Sequence, residues 1–427
     1  MSDKRMEWFR DAKYGMFIHW GLYSILAGEW NGGDYSSAAE WIMRNAQIPL
    51  AEYRKLAGQF DPIHFNADDW VDRAVEYGAK YLCFTAKHHD GFAMFDSKVS
   101  DYNIMHTPFG RDVVKELSEA CAKRGIVFCV YYSQMQDWED PNADGNTWDF
   151  DPAKKDFKVY FENKVKPQVK EVLTGYGQIG MIWFDTPYEM PVELCRELRE
   201  WVLSIQPDCI INGRIGYGLG DYRQMGDNDI PVLGYHGDWE TPMTLNNTWG
   251  FARSDERWKA PRVIMKMLVD VAGKGGNLLL NVGPDAHGDI PAGGDRVMRT
   301  IGSWLKINGE SIYGTRRTID FPYQIRWGGI TSKGNTLYFH VMNPGEITHQ
   351  VRICNLETKV KRVYLLETGE ELQFFQTYEL ARDEYRFRII TQGKINDPLD
   401  TVIAVELEGE PKAHSLYSDF EQLLTER

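Results

Sequence analysis

Residues 14–24 read YGMFIHWGLYS, an apolar run that stops abruptly at His19 and Trp20. A run this short and apolar on both faces is what a strand of a parallel sheet looks like when both of its sides are covered. A dinucleotide-binding sheet would continue into a glycine-rich phosphate loop, G-x-G-x-x-G, and HWGLYS is not one. Counting Tyr14–His19 as the first, the chain carries five more such runs: Tyr81–Thr85, Ile126–Tyr132, Met181–Asp185, Cys209–Asn212 and Asn277–Val282. Helical patterns separate them, at Asp68–Tyr77, Asp112–Arg124, Asp156–Leu173, Val192–Ile205 and Pro261–Ala272, several opening on Asp or Pro as helix starts do. Repeated strand-then-helix units with right-handed crossovers leave two topologies, an open doubly wound sheet or a closed (β/α)8 barrel. Polar and aromatic residues crowd the C-terminal ends of the strands: His19-Trp20, Lys87-His88-His89-Asp90, Tyr131-Tyr132-Ser133, Trp183 with Asp185, and Asn212 with Arg214. A barrel gathers all those ends at one mouth, whereas an open sheet spreads them along an edge. The fold class expected is therefore α/β, a (β/α)8-type barrel over residues 1–310.

After about Ile312 the texture changes to short alternating runs punctuated by turn residues, as in NTLYFHVMNPGE (335–346), HQVRICN (349–355), KRVYLLETGEE (361–371), YRFRIITQG (385–393) and DTVIAVELEGE (400–410). Regularly spaced strands of this kind predict a small antiparallel β-sandwich over residues 311–427, with a polar, acidic tail from about Pro411.

Composition narrows the function classes. Of 427 residues 43% are apolar, too many for a disordered chain, and 48 Lys+Arg against 62 Asp+Glu leave a net charge of −14. That balance argues against nucleic-acid and anionic-membrane partners, which need a positive face. The six cysteines, Cys83, Cys121, Cys129, Cys195, Cys209 and Cys354, sit mostly inside apolar runs without C-x-x-C spacing, and read as small buried hydrophobes. The N-terminus has no basic region leading into an apolar stretch, and no run of about 18 apolar residues occurs, so a soluble cytoplasmic protein is expected. Aromatic residues make up 13%, with 14 Trp, a content that suits either a large core or surfaces laid against sugar C–H faces.

Three histidines at one mouth, His19, His88 and His89, could ligate zinc, but the H-E-x-x-H spacing of hydrolytic zinc sites is absent, which favours recognition of ligand hydroxyls. In IGMIWFDTP (179–187) an apolar strand delivers Asp185 to the mouth with Trp183 on the same side, as befits a nucleophile beside an aromatic plate. The plainer alternative is an Asp that caps the next helix. Arg214, in IINGRIGYG, is close enough in the barrel order to pair with Asp185. A second carboxyl group is needed as general acid, and two candidates follow: Asp227 in QMGDNDIP, among Asp221 and Asp229, and Glu240 in GDWETP, beside Trp239. Both are expected on loops.

Taken in order, HWGLYS at His19, EW at Glu40-Trp41, TAKHHDGF at His88-His89, YYS at Tyr131-Tyr132, WFD at Trp183–Asp185, NGR at Arg214, WETPMTLNNTWGF from Trp239 and KGGNLLLNVGP from Lys274 resemble the α-L-fucosidases of glycoside hydrolase family 29. The resemblance covers roughly the first 310 residues. It implies retaining hydrolysis of terminal α-L-fucose by double displacement, without metal or cofactor, on a fucosylated oligosaccharide or glycoconjugate. It places Asp185 as nucleophile, leaves the acid/base open between Asp227 and Glu240, and puts His19, Glu40, Trp41, His88, His89, Tyr131 or Tyr132, Trp183 and Arg214 around the sugar; the apolar Trp239 neighbour, which would raise a carboxyl pKa, gives Glu240 a slight lean. Trp20 and Trp239 are expected at the same mouth. The rival readings are a glycosidase for another galacto-configured sugar, a metal-dependent hydrolase and a non-catalytic sugar-binding protein. Exposed aromatics in the C-terminal module would suit a homo-oligomer.

Overall fold

The computed structural model describes residues 4–319, 321, 325–347 and 349–414. Eight strands form one all-parallel sheet: β1 Tyr14–Ile18, β2 Tyr81–Lys87, β3 Val127–Tyr132, β4 Met181–Phe184, β5 Ile210–Ile211, β6 Arg223–Gln224, β7 Trp239–Thr244 and β8 Asn277–Val282. Their spatial order is β5-β4-β3-β2-β1-β8-β7-β6, the cyclic order of a barrel cut between β5 and β6. Asp221 bridges that seam, its N–H donating to Ile211 O (2.7 Å) and its Oδ2 accepting from Ile211 N–H (2.8 Å). Contacts across the interior show how tightly the sheet curls: Phe17 on β1 lies 5.2 Å from Trp183 on β4, and Tyr81 on β2 bonds to Glu240 on β7.

Four of the helices expected from sequence are found close to where the pattern puts them, at Ala67–Glu76, Val113–Arg124, Val192–Ile205 and Pro261–Gly273. Asn66 and Asp112 cap the first two by accepting from the N–H of Asp69 and Lys115. The fifth, Asp156–Leu173, is instead a short helix Phe157–Tyr160, a π-turn Phe161–Val165 and a helix Lys166–Gly175. Pro167 supplies no N–H to the helical ladder, and the preceding turn widens ahead of it. A further helix, Ala292–Asn308, follows β8. No α-helix lies between β5 and β6 or between β6 and β7. That departure from strict strand–helix alternation is why β6 and β7 escape a pattern search: β6 is two residues long, and β7 reads WETPMT, polar and interrupted by Pro242.

The barrel core is aromatic and is stoppered from below. The helix Glu7–Ala12 seats Phe9 on Tyr222 (4.5 Å between ring centres), while Asn277 Nδ2 donates to Phe9 O (2.7 Å). With the bottom closed, the C-terminal mouth is the open end. The cysteines are free thiols, five buried and Cys354 half-buried.

Beyond the barrel the strands are antiparallel. A four-stranded sheet, Gly328–Lys333, Thr336–Val341, Thr401–Leu407 and Val360–Leu365, faces a three-stranded one, Gln350–Cys354, Glu384–Ile390 and Phe374–Glu379, across its own apolar core. Buried polar contacts join it to the last barrel helix and the turn after it: Trp304 Nε1 donates to Asp400 O (2.9 Å) and Thr331 Oγ1 donates to Ser311 O (2.6 Å), while Asp400 Oδ2 bonds His340 Nδ1 (2.6 Å) within the module. The polar tail expected from Pro411 lies outside the described residues from 415 onward. No helix among the described residues is long and apolar enough to cross a membrane.

Candidate active site

At the mouth a pocket is lined by Phe17, His19, Glu40, Trp41, His88, Tyr131, Trp183, Asp185, Thr186, Arg214, Asp227 and Trp249.

Asp185 is the first residue beyond β4, so rigid backbone fixes it while its carboxylate reaches the opening. Oδ1 accepts from Arg214 Nη1 (2.7 Å) and from the N–H of Thr186 (2.8 Å), and Oδ2 accepts from Tyr131 OH (2.8 Å). Gln134 ties the strand ends together: its Oε1 accepts from Asp185 N–H (2.8 Å) and its Nε2 donates to Arg214 O (3.0 Å). The next helix begins seven residues later at Val192, with Pro191 at its cap, so Asp185 is no helix cap. The other terminal nitrogen of Arg214, Nη2, donates to Asp227 Oδ1. One guanidinium therefore holds both carboxylates, and its planar face lies over the Trp183 indole, 4.8 Å from the ring centre. Asp185 is nearly enclosed, with 11% of its side chain exposed, whereas Asp227 shows 46%.

Hydrogen-bond partners fix which ring nitrogen carries the proton in two of the three imidazoles. Asn281 Nδ2 donates to Trp249 O (2.7 Å), which turns its Oδ1 toward His19 Nδ1 at 2.7 Å; the network thereby assigns the His19 proton to Nδ1 and leaves Nε2 as an acceptor. Ser133 Oγ donates to Gln136 O (2.7 Å) and so accepts from His89 Nδ1 (2.6 Å). His89 Nε2 then has no hydrogen-bond partner, standing 3.5 Å from Asp185 Oδ2. His88 stacks on Tyr131, 5.4 Å apart and nearly parallel. Burial pushes His88 and His89 well below the usual imidazole range, and takes His19 down to about 4 against the pull of its Asn281 bond. Glu40, at the end of the turn Ser36–Trp41, accepts from Gly250 N–H (2.9 Å) and Thr248 Oγ1 (3.2 Å), and burial raises its pKa.

A pH effect follows from His19. An exposed imidazole titrates near about 6.5, so between that value and about 4 the unfolded chain binds more protons than the folded one. Stability from keeping His19 neutral is thus present above about pH 6.5 and lost as pH falls toward 4. Against His19→Asn, wild type is expected to lose melting temperature progressively over that window; a gap that does not change with pH would contradict a neutral His19.

Several residues expected at the mouth lie elsewhere, Tyr132 and Trp239 because adjacent strand residues alternate. Tyr131 points into the barrel, so its neighbour Tyr132 points out, donating to Gln168 Oε1 (2.9 Å) with Lys87 Nζ over its ring. Trp239 also faces out, donating to Lys274 O (3.1 Å), so it is not the apolar neighbour of Glu240. Trp20 belongs to the outer core, against Phe60, Phe65 and Trp70. His89 sits behind the pocket wall, packed on Trp41 (4.8 Å). Glu240 is on strand β7 rather than a loop, fully buried inside the barrel and outside the pocket lining. Asp221, expected beside Asp227, is at the seam, paired with Arg5 and Arg199. Three lining residues were not singled out from sequence. Phe17 is legible in hindsight, two positions before His19 on the same strand face; Trp249 sits beside a glycine past the end of β7; Thr186 carries no signal beyond following Asp185.

A family model described as alpha-L-fucosidase matches residues 1–310. Among curated proteins, the tissue alpha-L-fucosidase of Bos taurus is 30% identical over 395 residues, 86% of this chain and 81% of that one. Among solved structures, the alpha-L-fucosidase from Vibrio sp. strain EJY3 superposes with a TM-score of 0.91 at 33% identity, covering 96% of this chain and 74% of that one. Alpha-L-fucosidase AlfC from Lactobacillus casei, in complex with alpha-L-fucose product, superposes with a TM-score of 0.68 at 42% identity, covering 72% of this chain and 100% of that one.

Proposed function

The chain belongs to the alpha-L-fucosidase family, and from that premise we propose how its own residues release a terminal α-L-fucose from a fucosylated glycan. Asp185 attacks the anomeric carbon and forms a covalent fucosyl-enzyme. Asp227 protonates the departing glycosidic oxygen and then, as a base, activates the water that frees fucose with its original configuration. The observation that carries this assignment is the Arg214 guanidinium, which grips Asp185 with one nitrogen and Asp227 with the other at the edge of the pocket. A retaining pair of carboxyl groups stands about 5–5.5 Å apart, a separation compatible with one shared guanidinium. To act as acid, Asp227 exchanges Arg214 for the glycosidic oxygen, and its exposed position on the segment between β6 and β7 allows that movement.

The rest of the pocket matches the sugar. His19 Nε2 and Glu40 accept from its hydroxyls, while Phe17, Trp183 and Trp249 offer apolar faces to the ring and to the C6 methyl group of fucose. We read residues 1–310 as the catalytic domain and 311–427 as a β-rich module, a division supported by the extent of the family match and by the antiparallel strands that follow it.

Parallel assays on nitrophenyl α-L-fucoside and α-L-galactoside, which differ only at C6, test the sugar. Fucose release is expected to dominate, because galactose brings a C6 hydroxyl to an apolar wall and leaves it unpaired. Equal or faster galactose release would replace fucose with another galacto-configured substrate.

A further inference from the structure

Glu240 is a carboxyl group that the reaction scheme does not use, at the centre of the most heavily bonded spot in the barrel. Its side chain is fully buried. Oε1 accepts from Trp183 Nε1 (2.9 Å) and from Tyr222 OH (3.1 Å), and Oε2 accepts from Tyr81 OH (2.6 Å). Three donors from three separate segments aim at one carboxylate. Burial raises its pKa to about 7 even against the downward pull of those three bonds and of Arg214.

The indole above it is the connection to the chemistry. Trp183 stacks on Tyr131, with 5.5 Å between ring centres and 21° between planes, and carries the Arg214 guanidinium on its face. Tyr131 and Arg214 are two of the groups that hold the Asp185 carboxylate, one on each oxygen. A single N–H bond to Glu240 therefore fixes the rotation of the ring against which both are packed.

We propose that Glu240 is a positioning residue: it anchors the Trp183 indole from below and thereby sets Arg214 and Tyr131 on Asp185. The catalytic meaning of this link rests on the reading of Asp185 as nucleophile. Glu240 itself touches no substrate, since Trp183 lies between it and the pocket and its oxygens are already engaged.

The amide of Glu240→Gln keeps an oxygen for the indole, and Tyr81 OH can reverse to accept from the new NH₂, so kcat is expected to stay within about tenfold of wild type. Glu240→Leu removes the acceptor and lets the indole turn; misplacement of this kind costs about 100-fold, here in kcat more than in KM. Added azide is expected to leave Glu240→Leu unrescued. If Gln is as slow as Leu, or azide restores Leu with formation of a fucosyl azide, Glu240 is a proton-transfer residue and the proposal falls. Wild-type kcat in a folded Glu240→Leu also overturns it.

Because Leu places three unmet donors in the core and could fail to fold, a spectroscopic measurement supplies the second arm. In ¹⁵N-tryptophan-labelled protein the Trp183 indole resonance, assigned by its disappearance in Trp183→Phe, is expected to move upfield in Glu240→Gln, because a neutral amide is a weaker acceptor than a carboxylate. An unmoved resonance would break the link. The two readings are separable: an active Asp185→Gly refutes the nucleophile, whereas an inert Asp185→Gly beside a fully active Glu240→Leu refutes only the positioning role.

Discussion

Asp185→Gly hydrolyses nitrophenyl α-L-fucoside at least about 10⁴-fold more slowly than wild type, the scale of loss when a covalent nucleophile is removed. The reason is local. Asp185 is the carboxylate fixed at a strand end and gripped by Arg214 and Tyr131, and glycine leaves the pocket walls standing around a hole. Azide fits that hole and attacks from the face that Asp185 occupied, so the rescued product is β-L-fucosyl azide, inverted relative to the substrate. Product anomer, read by NMR, is the decisive measurement. Wild-type activity in the glycine variant, or an α-L-fucosyl azide from it, would remove Asp185 from the nucleophile's role.

The second large effect is expected at Asp227→Ala, and it depends on the leaving group. For a fucosylated disaccharide, whose departing oxygen needs a proton, turnover falls by about 10²–10⁴-fold. For nitrophenyl fucoside the first step needs little assistance, so fucosyl-enzyme accumulates and a burst of nitrophenol precedes slow turnover. Azide then attacks the intermediate without a base and yields α-L-fucosyl azide, the anomer opposite to that from Asp185→Gly. If both substrates slow equally and azide has no effect, Asp227 only steadies Arg214, with which it shares an ion pair.

Much of the barrel was legible because its signal is local. Strands covered on both faces must be apolar, and β1 to β4, β5 and β8 announce themselves so; the capped helices between them repeat the message. The two strands that were missed had no such signal, one being two residues long and the other carrying Glu240 and Pro242 where apolar residues were sought. An inward-facing carboxylate inside a barrel is tolerable only with donors that arrive from β2, from β4 and from Tyr222, and nothing in WETPMT points to them.

The candidate site divides along the same line. Residue type and position at a strand end sufficed to bring His19, His88, Tyr131, Trp183, Asp185 and Arg214 to one pocket, since each lies within or just past the C-terminal end of its strand and a barrel closes those ends into a ring. Which face each neighbour of those residues takes was less secure. Tyr132 and Trp239 went outward because adjacent strand residues alternate, and with Trp239 turned away the argument for Glu240 as an acid with an apolar neighbour loses its footing. Sequence alone thus determined the fold class, the family and the carboxylate at the end of β4. Only the tertiary structure decided that Asp227 shares Arg214 with Asp185 while Glu240 lies beneath Trp183. Those distances are set by contacts between strands far apart in the chain, and local periodicity carries no information about them.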